Sequence, residues 1–119
     1  MLTTYGLDAT LHARPVTIWS GGGPYEVVVL SAPDAAKIAE ITAQPEVSLG
    51  GSSADGWWSA EGAATVDPDA VVDTLRAAGL PTHLPVTAVR ITLRRLRRWT
   101  VTDSGPWDNT YDEQVYSDD

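Results

Sequence analysis

The stretch from Ala88 to Val101 limits the fold most. Val89, Ile91 and Leu93 alternate with Arg90, Thr92 and Arg94, the period of a half-buried strand rather than of a helix. The phase breaks at Arg94-Arg95, which predicts a bulge or bend. Trp99 and Val101 then resume an apolar face. This is the longest strand candidate in a chain of 119 residues, a length that suits one domain and not two independent cores.

The rest of the chain reads as more strand with two helices. Thr3 to Thr10 is a first strand. Val16 to Trp19, β-branched and aromatic, is a second. Gly21-Gly22-Gly23-Pro24 forces a turn, and Tyr25 to Leu30 follows as the other arm of a hairpin. Val27 to Leu30 is apolar on both faces, so that arm sits deep in a sheet or barrel. Ser31-Ala32-Pro33-Asp34 reads as a helix start, with Ser31 as cap and Asp34 as its capping-box partner. That helix runs to about Ala43, stopped by Gln44-Pro45.

Glu46 to Gly51 is a short strand. Trp57 to Val66 is another, and the glycine inside it, Gly62, marks a bulge or a close backbone approach. Asp67 as cap and Pro68 at the first position open a second helix, which Gly79 ends. The order predicts a mainly β (α+β) domain, about six strands with two peripheral helices, over 1–102. Residues 103–119 form an acidic tail, either disordered or folded across a partner subunit.

Composition excludes several chemistries. With no cysteine there is no disulfide, thiolate nucleophile or cysteine-ligated metal, and two histidines, His12 and His83, cannot make an all-histidine site. No apolar run has the length of a membrane span, and no signal segment opens the chain, so a cytoplasmic protein is expected. Net charge is −8, but residues 1–99 hold 8 basic and 10 acidic groups while residues 100–119 hold 6 acids and no base. A nearly neutral body with an acidic tail argues against nucleic acid as a partner. Arg94, Arg95, Arg97 and Arg98 could form an anion patch beside Trp99. The simpler reading is an exposed strand neutralised by the acidic tail.

Lys37, the single lysine, falls in the first turns of the first helix. Free N–H groups, the Ser31 hydroxyl and an ammonium there suit a phosphate, though on spacing alone a capped surface helix with a solvated lysine is the simpler reading. His12 and Arg14 end a strand, where either could meet an anion or simply be exposed. Trp57 and Trp58 are adjacent, so one enters the core and the other faces outward. Five tryptophans and no phenylalanine serve core and interface packing, or stack a planar ligand.

Four stretches, in this order, resemble the pyridoxamine 5′-phosphate oxidase-like family, the flavin-binding split barrel. They are Ala9 to Pro15 with its Arg-Pro turn, Leu30-Ser31 followed by Lys37, Pro45 to Leu49, and the Glu61-Gly62-Ala63-Ala64 strand beginning at Trp57. The resemblance implies a six-stranded antiparallel split β-barrel, a homodimer, and FMN or a deazaflavin in a groove at the dimer interface. It implies oxidoreductase chemistry on a small-molecule substrate. Arg14, Ile18, Trp19, Ser31, Lys37, Trp57 and Trp58 become the candidate cofactor contacts, with Ser31 and Lys37 at the phosphate and Val16 to Trp19 along the ring. No catalytic residue is implied, and no metal. Three places depart from the family pattern: Ala36 stands where a second basic residue is usual, Glu40 where an asparagine is common, and Trp19-Ser20 where the strand usually ends in a basic residue. The alternative is a cofactor-free barrel that binds a small hydrophobic ligand or serves a specialised biosynthetic pathway.

Overall fold

The computed structural model describes residues 1–5, 11–21, 23–53, 56–102 and 105–115, with backbone register alone at Tyr5, His12, Arg14, Ser53, Val101, Thr102 and most of 105–115. Its strands are β1 (Leu2–Tyr5), β2 (Leu11–Arg14), β3 (Ile18–Ser20), β4 (Glu26–Ser31), β5 (Glu46–Ser53), β6 (Gly56–Val66), β7 (Thr87–Thr102) and β8 (Gly105–Val115). The helices are α1 (Ala36–Ala43) and α2 (Val71–Ala77), the latter preceded by a 3-10 turn at Pro68–Ala70. Neighbouring strands pair antiparallel in the order β2-β1-β5-β6-β7-β4-β3. The long β7 is the hub. One edge carries β6 along its length, and the other carries β4 over its first half and β8 over its second.

The sheet curls until distant strands share one core. Leu2 of β1 and Val29 of β4 join Val47, Leu49, Ala60, Ala64, Val89 and Ile91 in a single buried cluster, with Ile41 of α1 packed into it. A second cluster lies on the other face, where Val28 and Ala88 meet Ala70 of the 3-10 turn, with Leu30 and Val71 against them. This explains why Val27 to Leu30 is apolar on both faces: alternate side chains enter the barrel and the layer beneath the turn and α2. Burying a side chain such as Ile91 contributes about 1.5–3 kcal/mol.

The two signals of irregularity in the sequence describe one bulge. Glu61 pairs with Arg95 but Gly62 pairs with Leu93, leaving Arg94 as the extra residue of β7. A Cβ at Gly62 would overlap the carbonyl oxygen of Thr92, so only glycine fits there. The bulge absorbs Arg94 so that Leu93 and Leu96 both pack against the core while Arg95 and Arg97 reach carboxylates across the sheet.

The β3–β4 hairpin forms as expected, closed by the Gly21 N–H donating to the Glu26 carbonyl at 3.0 Å. The first helix start does not. Ser31 is the last residue of β4, and its hydroxyl donates to the Ala32 carbonyl at 2.9 Å. The first helix begins only at Ala36, after Ala35, with no side-chain cap. The second start falls where expected, with Asp67 at the N-cap position and Pro68 first in the 3-10 turn, but the Asp67 carboxylate accepts from Arg90 instead of capping. Helix α2 does stop at Gly79, which has φ of 71°. There the N–H groups of Gly79 and Leu80 donate to the carbonyls of Arg76 and Leu75, at 3.1 and 2.9 Å, the Schellman closure.

The acidic tail contributes β8, whose register on β7 runs from Arg95↔Val115 to Val101↔Asn109. Glu113 lies 3.0 Å from Arg95 Nε and 3.8 Å from Arg97 Nε, so one acid of the tail pairs with two of the four arginines. Tyr116 and the residues after it lie outside the described residues. Among the described residues, no helix is long and apolar enough to cross a membrane.

Candidate functional site

The phosphate corner expected at α1 is partly built. Lys37 is the second residue of α1 and half-buried. No acidic side chain lies in the first turn, and Ala35 supplies no capping oxygen, so the helix presents its N-terminal N–H groups unshielded by a carboxylate. Glu40, one turn on, is only 3% exposed, and the Thr4 hydroxyl donates to its Oε2 at 2.6 Å. That bond turns the acid into the barrel against β1. Ser31 is buried, with its proton already given to the Ala32 carbonyl.

Ile18 and Trp19 lie on β3, the last strand of the sheet path, and face opposite ways. Ile18 packs against the barrel core, whereas Trp19 pairs with Val28 and shares its row on the outer face. The Gly21 N–H donates to the Glu26 carbonyl across the hairpin, so by alternation Trp19 and Val28 are the next bonded pair. The backbone N–H and C=O of Ile18 therefore point towards the open sheet edge. Arg14 ends β2 opposite Leu2; its side chain lies outside the described residues.

The tryptophan pair divides as its spacing requires. Trp58 packs against the core, and Trp57 is 43% exposed and in register with Trp99. Within one chain this pair lies at the other end of β7 from Ser31. Ser31 aligns with Thr87 and Trp57 with Trp99, twelve residues apart along β7. At about 3.3 Å per residue that is a path of roughly 40 Å along the bulged strand.

Sequence reasoning passed over Arg90. It lies in β7 between the fully buried Val89 and Ile91. Its Nε donates to Asp67 Oδ2 at 2.9 Å, and its Nη1 donates to the Gly21 carbonyl at 2.8 Å and to Glu26 Oε2 at 2.9 Å. The hydrogen bond to Asp67, more than the charge of Glu26, holds the guanidinium above its ordinary pKa. A raised pKa of this kind gives stability that is lost only as pH climbs through it, so loss of the arginine's proton does not open the clasp in the neutral range. The available signal was a lone arginine between two core positions, with acids at the ends of the neighbouring elements.

Two clefts mark the surface. One of about 480 Å³ lies at the bulge, lined by Thr3, Leu11, Glu46, Ser48, Glu61 and Arg94 among others. The other, of about 520 Å³, lies between β3 and α2 and includes Trp19 and Arg90. Among the described residues no group of three or more histidine or acidic side chains is arranged to hold a metal.

No family model and no curated protein matches the sequence. Solved structures do match. A protein related to general stress protein 26, of the pyridoxinephosphate oxidase family, from Clostridium acetobutylicum superposes with a TM-score of 0.69 at 11% identity, covering 94% of this chain and 82% of that one. A pyridoxamine 5′-phosphate oxidase-related, FMN-binding protein from Nostoc punctiforme gives 0.63 at 10% identity, covering 98% and 85%. An F420 reductase gives 0.63 at 15% identity, covering 80% and 85%. The strand order, the curled core and these superpositions agree that the chain has the split-barrel fold of the pyridoxamine 5′-phosphate oxidase-like, FMN-binding proteins.

Proposed function

We propose that two copies of the chain form a dimer that holds FMN or a deazaflavin in the groove between them and acts as an oxidoreductase on a small organic substrate. The observation that carries this reading is the barrel shared with an FMN-binding protein and an F420 reductase. Features of this chain support it. The α1 corner fits a phosphate: Lys37 supplies the charge, the helix N-terminus supplies N–H donors, and Glu40 is turned away into the barrel. Ser31, with its proton committed to Ala32, shapes the corner without donating to it. The backbone of Ile18, open at the sheet edge, suits the polar rim of a planar ring.

The separation of Ser31 from Trp57 along β7 is why the reading needs two copies. The phosphate corner of one copy and the exposed Trp57 of the other can then flank one ligand. A bound flavin or deazaflavin supplies the hydride chemistry; the protein binds it, orients it and excludes water.

The test is an absorption titration of the purified protein with FMN and with a deazaflavin, repeated on Lys37→Ala. The reading expects a spectral shift with one of them and at least about a tenfold weaker affinity in the variant, the scale of one charge-assisted contact. Binding of neither cofactor at high concentration would overturn it and leave the cofactor-free barrel. An unchanged affinity in Lys37→Ala would remove the phosphate corner.

A further inference from the structure

The cleft between β3 and α2 has no part in the phosphate corner. Trp19, Val28 and Arg90 stand in one row across β3, β4 and β7, on the face packed by the 3-10 turn. Ser31 shares the opposite face with Val29. We propose that this cleft is a binding site for a small, planar, uncharged ring carrying a carbonyl oxygen.

Three observations converge. The cleft, at about 520 Å³, falls in the size range of small-molecule pockets and is walled by Trp19, Ser20, Ala70, Thr74 and Ala77. Trp19 is half-buried there and offers an aromatic surface to a flat ring.

Arg90 provides the polar contact. Its Nε and Nη1 are committed to Asp67, Glu26 and Gly21, while Nη2 has no protein partner among the described residues. Three bonds fix the guanidinium before any ligand arrives, so its remaining N–H groups point in a set direction. A donor held in this way is ready for an acceptor without reorganisation. Arg90 also joins both walls of the cleft, since Gly21 follows β3 and Asp67 precedes the 3-10 turn.

Charge selects the ligand class. One guanidinium faces two carboxylates, Glu26 and Asp67, while Asp73, which also lines the cleft, is paired with Arg76 at 3.7 Å. The local balance is negative, so an anion is repelled even though an arginine is present. A neutral carbonyl can accept from Nη2 without that penalty.

The experiment is an amide-resolved NMR titration of the full chain with benzamide, and with benzoate as the anionic isostere. Benzamide up to about 20 mM, a concentration suited to fragment-sized ligands, should shift the amides of Trp19 to Gly21 and Ala70 to Ala77. Benzoate should bind at least about tenfold more weakly. Arg90→Lys, which keeps the charge but loses the planar fork, should weaken benzamide. Trp19→Leu, which leaves the clasp intact, should weaken it too. The proposal is overturned by the absence of localised shifts, by benzoate binding equally well, or by unchanged affinity in Trp19→Leu. The probe carries no phosphate, so the outcome is independent of the α1 corner.

Discussion

The two halves of β7 solve opposite problems with one strand. In the first half, Ala88, Val89 and Ile91 are fully buried, because the barrel core lies on one face and the 3-10 turn on the other. Its one charged side chain, Arg90, is clasped by Glu26 and Asp67. In the second half Leu96 is only partly buried, and the arginines reach across the surface to Glu61 and Glu113. The bulge at Arg94 is the boundary. Cohesion therefore comes from burial before the bulge and from backbone pairing and screened charge after it.

That contrast can be broken in order of size. Ile91→Ala should destabilise the fold by about 2–5 kcal/mol, the range for a fully enclosed aliphatic side chain. Leu96→Ala, on the same strand beyond the bulge, should cost about half as much because its site is partly open. Chemical denaturation of both variants measures the difference; equal losses would dissolve the distinction between the halves. Glu113→Gln should cost only about 0.2–1 kcal/mol, since its ion pairs with Arg95 and Arg97 are substantially solvent-exposed. The effect should shrink in high salt, and a loss that persists there would mean that Glu113 does more than screen charge.

The same contrast explains what was legible in the sequence. Gly62 and the phase break at Arg94-Arg95 were readable separately, because each is a local consequence of the bulge. The division of labour between Trp57 and Trp58 follows from strand alternation alone. Gly79 was readable because the left-handed conformation after a helix favours its residue type.

The misread positions all depend on distant partners. Ser31 and Asp67 are good capping residues by type, yet one closes a strand opposite Thr87 and the other accepts from an arginine 23 positions away. Nothing local separates those uses. Strand β8 has no regular apolar alternation, and its pairing depends on a basic strand already in place. Of the candidate site, the α1 corner was visible as a pattern. The inward turn of Glu40 was not, since it depends on Thr4, 36 residues away.

The central claim is a cofactor site assembled from two copies, and subunit mixing tests it most directly. Lys37→Ala and Trp57→Ala proteins, each impaired in cofactor binding, are combined and allowed to exchange. In a symmetric dimer, random exchange makes half of the dimers mixed, and each mixed dimer carries one intact site of two. The account predicts recovery of about a quarter of the wild-type binding capacity. No recovery on mixing, or wild-type affinity in Trp57→Ala alone, would contradict it.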